Sequence, residues 1–101
     1  MIVLHASFPI DPEHRDEALD LASTLVEESN EEAGTIEYRA AIDVEDDTVL
    51  RFFEQYEDEA AFEAHAASAH FQAFEDRLPE LLAGEPTVTQ FEVESATELD
   101  L

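Results

Sequence analysis

The spacing of hydrophobic positions along this 101-residue chain changes several times, and each change predicts an element. Alternation with a period of about two, which is typical of half-buried strands, runs through residues 2–8, 35–44, 48–56 and 87–93. Apolar residues recur every three or four positions in segments that predict helices over about 11–32, 58–66 and 68–82. The predicted order is β-α-β-β-α-β, in which the last helical segment has two pieces.

Capping residues mark the ends of these predicted helices. Asp11, which is followed by a proline, Asp58 and Ser68 each stand where a side-chain oxygen can cap a first turn. Gly34 supplies a stop for the first helix. Pro79 interrupts the last apolar stripe, so we expect a kink or a restart there.

The second and third strands form a predicted β-hairpin around the acidic turn 45–47. Folding the chain about Asp46 predicts five pairs: Val44 with Thr48, Ile42 with Leu50, Ala40 with Phe52, Tyr38 with Glu54, and Ile36 with Tyr56. One face of the hairpin is then almost wholly apolar. The other face mixes charged residues with Phe53, which suits a wet sheet or a polar interface.

This element order is the split pattern of a ferredoxin-like α+β sandwich, with one antiparallel sheet and all helices on one face. We expect one domain over residues 1–95 and a C-terminal tail over 96–101. The uncovered sheet face must meet water or another subunit. Phe53 on that face favours a homodimer.

Charge is the extreme feature of the composition. Asp and Glu number 27 against 4 basic residues, all of them arginine, for a net charge of −23. Such a surface repels itself in dilute buffer and is screened at high salt, so the composition is typical of a cytosolic protein from a salt-in halophile. Nucleic-acid binding is not expected, because phosphates need basic partners.

Other features narrow the class of protein. No apolar run approaches the roughly 20 residues of a membrane span, and the N-terminus lacks the basic region of a signal peptide, so we expect a soluble cytoplasmic protein without membrane contact. The absence of cysteine excludes thiolate catalysis, disulfides and cysteine-ligated metals.

Three residues are candidates for catalysis: His65, Glu54 and Tyr38. Glu54 lies on the apolar face of the hairpin opposite Tyr38, where a buried carboxylate needs partners, although it could equally be a structural residue. His65 falls on the helix face directed at this sheet, where a nearby carboxylate such as Glu54 would raise its pKa. A satisfied core histidine is the alternative. Aromatic residues would line a substrate pocket around them: Phe52, Tyr56, Phe62, Phe71 and Phe74.

The histidines do not predict a metal site. His65 and His70 are five residues apart, which on one helix is about 140° of rotation, although a break at Ser68 could realign them. No third ligand stands at recognisable spacing. His14 lies at the edge of the first buried stripe, where a packed or half-exposed role is favoured, and His5 has no assigned role.

The residues Glu54-x-Tyr56-x-Asp58-x-x-Ala61-Phe62-x-x-His65-x-x-Ser68-x-His70-Phe71 resemble the antibiotic biosynthesis monooxygenase (ABM) domain family, which includes quinol monooxygenases of the YgiN type. The resemblance extends over nearly the whole chain. It implies a dimeric α+β barrel paired sheet to sheet. It also implies a monooxygenase that acts without a cofactor on a quinol-like or phenolic aromatic and molecular oxygen, with His65 deprotonating the phenol.

Two other functions stay open within this resemblance. The chain could be a non-catalytic dimeric module for ligand binding or stress response, or an isomerase of a small hydroxy-ketone, since the family includes a sugar-phosphate isomerase. Haem degradation is not expected, because the tryptophan of the haem-degrading members is missing and the chain has none.

The charge leads to a prediction about salt. Dialysis from molar to low salt should reduce the helical circular dichroism signal, because the Debye length grows from about 3 Å at 1 M to about 30 Å at 0.01 M and exposes the carboxylates to one another. A spectrum that is unchanged at low salt would contradict it.

Overall fold

The computed structural model describes residues 1–101 as one antiparallel sheet with helices on one of its faces. The elements in chain order are β1 Ile2–Pro9, a 3-10 turn Pro12–His14, α1 Arg15–Asn30, β2 Thr35–Ile42, β3 Val49–Tyr56, α2 Glu59–Ala66, α3 Ala69–Leu81 and β4 Thr87–Glu92. The sheet order is β2-β3-β1-β4, with every neighbouring pair antiparallel. The predicted ferredoxin-like α+β fold is confirmed.

α2 and α3 begin at the capping residues that the sequence indicated, whereas Asp11 caps the 3-10 turn and α1 begins only at Arg15, without a side-chain cap. Asp11 accepts a hydrogen bond from the Glu13 backbone N–H at 2.9 Å, and Asp58 accepts one from Ala61 at 2.8 Å. Ser68 Oγ caps α3. α3 does not restart at Pro79 but continues through it to its end. None of the helices is long and apolar enough to cross a membrane.

The core lies between the helices and the inner face of the sheet. Leu4, Ala6 and Phe8 of β1 point into it while His5 is exposed on the open face, as the alternation predicted. Three residues of α1 complete it from the helix side: Ala18, Ala22 and Leu25.

β4 contributes little to this core. It pairs with β1 along one edge, yet all six of its residues are exposed, including Val88 and Phe91. The helices therefore leave β4 uncovered, and this edge of the sheet is held mainly by backbone hydrogen bonds. Residues 95–101, which include the predicted tail, form no helix or strand and are exposed.

The hairpin register is confirmed over its central part. Tyr38 pairs with Glu54, and the predicted partners agree from there to the pair of Ile42 with Leu50. The predicted pair of Ile36 with Tyr56 is wrong, because a β-bulge at the start of β2 places Thr35 opposite Tyr56. Ile36 therefore turns outward and is half exposed.

The turn of the hairpin is longer than predicted. β2 ends at Ile42, so the predicted pair of Val44 with Thr48 is wrong and the Val44 side chain is fully exposed. Asp43 accepts the backbone N–H of Glu45 at 2.7 Å, and three residues later Asp46 accepts that of Thr48 at 3.0 Å. These local hydrogen bonds compete with the strand ladder and end it early.

Gly34 has a different role from the one predicted. α1 ends at Asn30, before the glycine, and no glycine in the chain has a positive φ. Instead, Gly34 packs directly against α2, where a Cβ at this position would overlap the methyl group of Ala61. The absence of a side chain is what lets the α1–β2 connection touch α2.

This contact can be tested by substitution. Gly34→Ala should lower the free energy of unfolding by about 1–3 kcal/mol, because the new methyl group overpacks the contact. Adding Ala61→Gly should recover part of that loss, giving a non-additive double-mutant cycle in urea denaturation.

Gly84→Ala is the matched control. A Cβ at Gly84 would meet Pro9 at 3.5 Å, an ordinary van der Waals distance, so this change should be tolerated. Equal losses for the two glycine variants would contradict the assigned role of Gly34.

Candidate functional site

A single carboxylate oxygen joins two of the four histidines. His65 Nδ1 donates to Glu32 Oε2 at 2.9 Å, and His70 Nε2 contacts the same oxygen. The His65 side chain is buried at 1% exposure, while those of Glu32 and His70 are 18% and 17% exposed. Three elements meet here: the α1–β2 connection, the last turn of α2 and the first turn of α3.

The break between α2 and α3 brings the two imidazoles together. Ser68 Oγ donates to the His65 carbonyl at 2.6 Å and accepts the Phe71 backbone N–H at 3.2 Å, so one side chain ends α2 and begins α3. The ring centroids of His65 and His70 are 5.9 Å apart. The 140° separation would hold only on one continuous helix. The break at Ser68 realigns the two histidines so that their rings lie side by side.

His65 has the properties of a neutral base facing apolar rings. Burial lowers its pKa below the ordinary value and outweighs the opposing effect of Glu32. With Nδ1 donating to Glu32, the lone pair of a neutral imidazole lies on Nε2, which is buried and has no hydrogen-bond partner. The rings of Tyr38, Tyr56 and Phe71 surround it at centroid distances of 5.1, 5.4 and 5.1 Å.

Glu54 forms a separate buried pair with tyrosine. It is 7% exposed and accepts a hydrogen bond from the Tyr56 hydroxyl at 2.7 Å, while Tyr38 interacts with the same carboxylate from the opposite strand. Burial raises the pKa of Glu54 to about 7, against the opposing effect of the Tyr56 hydrogen bond. Burial first, and then the charge of Glu54, raise the pKa values of both tyrosines.

The carboxylate that sets the state of His65 differs from the predicted one. We expected Glu54 to raise the pKa of His65, but the hydrogen-bonded carboxylate is Glu32 and the net shift is downward, because burial dominates. Glu32 was missed because it lies 33 positions from His65 and is one of 27 acidic residues. Its position at the end of the first helix, next to the tyrosine-bearing strand, is the only signal that marks it.

The five predicted substrate-binding aromatics divide into two groups. Phe52 and Phe74 pack edge to face against each other and against Phe8, and Tyr56 is fully buried, so these three belong to the core. Phe62 and Phe71 are partly buried and cover Tyr56 and His65.

The apolar space expected between His65, Glu54 and Tyr38 is filled by side chains. The depressions of the structure lie elsewhere, beside Ile10 and beside Met1. The remaining histidines lie outside the cluster. His14 is 38% exposed with Glu17 at 3.9 Å, and His5 is on the open sheet face.

Comparisons with known proteins agree with this architecture. Residues 1–77 match the family model "Antibiotic biosynthesis monooxygenase". A relative from Bacillus subtilis (strain 168), named "Putative monooxygenase YcnE", is 37% identical over 93 residues, which are 92% of this chain and 98% of the relative.

Solved structures share the fold. The crystal structure of an antibiotic biosynthesis monooxygenase has a TM-score of 0.87 at 27% identity and covers 94% of this chain and 100% of its own. The structure of PA3566 from Pseudomonas aeruginosa has a TM-score of 0.85 at 28% identity and covers 93% and 94%.

The raised pKa of Glu54 predicts a specific dependence of stability on pH. Since its pKa rises from 4.5 in the ordinary state to about 7 in the folded protein, the folded state holds the proton more tightly than the unfolded state. This contribution is full below about pH 4.5, falls between pH 4.5 and 7, and is lost above that range.

The unfolding free energy of Glu54→Gln, relative to that of the wild type, should therefore increase by about 3 kcal/mol when the pH rises from about 5 to about 8. Urea denaturation at each pH measures this difference. The exposed Glu92→Gln is the control and should show no such change. Parallel pH profiles for wild type and Glu54→Gln would refute the prediction.

Proposed function

The chain belongs to the antibiotic biosynthesis monooxygenase family, and on that premise we propose that it oxidises a quinol-like or phenolic aromatic with molecular oxygen, with His65 as the general base. The observation that carries the proposal is the state of the His65 ring. Glu32 fixes the proton on Nδ1, so Nε2 presents a buried lone pair with no partner. A general base needs such a nitrogen directed at the position of the substrate.

The rings around His65 suit an aromatic substrate. The rings of Phe71 and Tyr56 lie 5.1 and 5.4 Å from the imidazole, and Tyr38, whose ring is 5.1 Å away, interacts with Glu54. Phe62 and Phe71 are only partly buried, so these two side chains are the ones that must move to admit a ligand.

The proposed reaction balances without a cofactor. His65 Nε2 removes the phenolic proton, and the electron-rich phenolate passes an electron to molecular oxygen. The resulting radical pair combines to form a C–O bond, and loss of water gives a quinone. One oxygen atom enters the ring, the other leaves as water, and the substrate supplies all four electrons. The protein binds, orients and deprotonates.

We also propose that the protein works as a homodimer through the open face of its sheet. Phe53 and Phe91 are 40% and 48% exposed on that face and lie on strands β3 and β4. A second copy would cover both side chains, which otherwise face water. The polar residues on the same face suit a partly polar interface.

The test is oxygen uptake with hydroquinones in molar salt without added cofactor. His65→Gln keeps an amide N–H that can donate to Glu32 but has no basic nitrogen, so it should lower the rate by about 100-fold or more. Mass spectrometry of the product after reaction with ¹⁸O-labelled oxygen should show one labelled atom.

His14→Gln serves as the matched control, because His14 is half exposed outside the site. It should keep the rate of the wild type, and circular dichroism should show the same fold for both variants. If no hydroquinone consumes oxygen faster with protein than without it, or if His65→Gln is as active as the wild type, the proposal fails.

Two outcomes point to the other functions. Aromatics that bind without turnover indicate a ligand-binding module, for which the filled space beside His65 is the favouring observation. Product that forms under nitrogen indicates an isomerase.

A further inference from the structure

We infer that Glu32, His65 and His70 form a binding site for one divalent transition-metal ion of the zinc class. One ligand atom from each residue lies within 4.8 Å of the others, giving two imidazole nitrogens and one carboxylate oxygen. Two imidazoles and a carboxylate suit zinc, cobalt, nickel and similar ions, whereas magnesium and calcium need oxygen ligands. The sequence predicted no metal site because the third ligand, Glu32, is 33 positions from His65 along the chain.

The spacing requires movements of the side chains, larger for the close His70 contact than for that of His65. Zinc bonds of about 2.0–2.1 Å in tetrahedral geometry place two ligand atoms about 3.3 Å apart. The His65 Nδ1 to Glu32 Oε2 distance of 2.9 Å therefore has to open by only a few tenths of an ångström. Glu32 stands on the connection after α1 and has a flexible side chain, so it can retreat from both ring nitrogens.

Glu28 is a second observation that favours metal binding. Its Oε2 lies 3.5 Å from His70 Nδ1, the ring nitrogen that does not face Glu32. Histidines that bind metals usually donate their other N–H to a carboxylate, which fixes the tautomer and orients the ring. In this arrangement His70 Nε2 is the ligand and Glu28 is the outer partner.

The solvent access of this cluster and the net charge of the chain also favour the binding of a cation. Glu32 and His70 are each about one-sixth exposed, so a hydrated cation can reach them from the surface. The net charge of −23 attracts cations to that surface. The four arginines pair with other groups, so none occupies this cluster: Arg15 with the Asp47 carbonyl, Arg39 with Glu37, Arg51 with Asp43, and Arg77 with Glu17 and Glu80.

A bound ion would change the chemistry of His65, and this step rests on the proposed function. The ion takes the lone pair of Nδ1, so the ring proton moves to Nε2. Nε2 then carries the proton and has no lone pair with which to accept another. Metal binding therefore switches the base off without moving the backbone.

Zinc titration of the full chain by calorimetry tests the site. The titration is run in molar potassium chloride with excess magnesium, which occupies the surface carboxylates. We expect one zinc per chain in the wild type. His70→Ala and Glu32→Gln should each weaken binding at least 10-fold, and Glu28→Gln should weaken it by 10- to 100-fold.

His14→Ala is the matched control. His14 Nδ1 also faces a carboxylate, that of Glu17 at 3.9 Å, but has no third ligand, so its loss should leave zinc affinity unchanged. His70 is partly exposed, so its variant should fold, which circular dichroism checks. Zinc binding that is the same in His70→Ala as in the wild type would overturn the site.

A separate readout follows the proton on His65. Long-range ¹H–¹⁵N spectra should show the proton on Nδ1 without metal and on Nε2 with zinc, and an unchanged tautomer with zinc bound would overturn the switch. Zinc should also stop the His65-dependent oxygen uptake, and a chelator should restore it. Zinc binding without any oxygen uptake would contradict the proposed function but not the metal site. His65-dependent uptake without zinc binding would contradict the metal site but not the proposed function.

Discussion

The hydrogen bonds of Glu32 Oε2 hold the candidate site in one arrangement. This oxygen belongs to the connection after α1 and contacts His65 from α2 and His70 from α3. A partly buried carboxylate without donors would be costly, so the two rings are needed there as much as the carboxylate is needed by them. The same contact decides which nitrogen of His65 carries the proton. One oxygen atom therefore both joins the two histidines and sets the tautomer of His65.

The sequence predicted those parts of the structure that depend on neighbours along the chain. Alternation fixed which side chains of the strands face inward and placed Tyr38 opposite Glu54. The caps Asp58 and Ser68 were visible because capping needs only the following turn. His65 was identified from its place on the helix face that packs on the sheet, and it is the most buried of the cluster.

The sequence did not predict contacts between distant segments, or positions where local hydrogen bonds compete with the hydrogen bonds between strands. Glu32 is 33 and 38 positions from its two partners, and no spacing rule connects them. The bulge at Thr35 shifted one pair, and β2 ends early where the Asp43 side chain accepts the Glu45 backbone N–H. The role of Gly34 was likewise a tertiary one, since its neighbour Ala61 is on another element. Local patterns contain no information about such contacts.

The local stability of the sheet is lowest at β4. Its backbone pairs only with β1, its outer edge is free, and neither face is covered. A strand held in this way separates at a lower free-energy cost than the rest of the sheet, because little apolar area is exposed when it leaves. Amide hydrogens of β4 would then exchange with solvent by local opening, whereas those of β3 would exchange only by global unfolding. The same free edge can accept a strand from another chain.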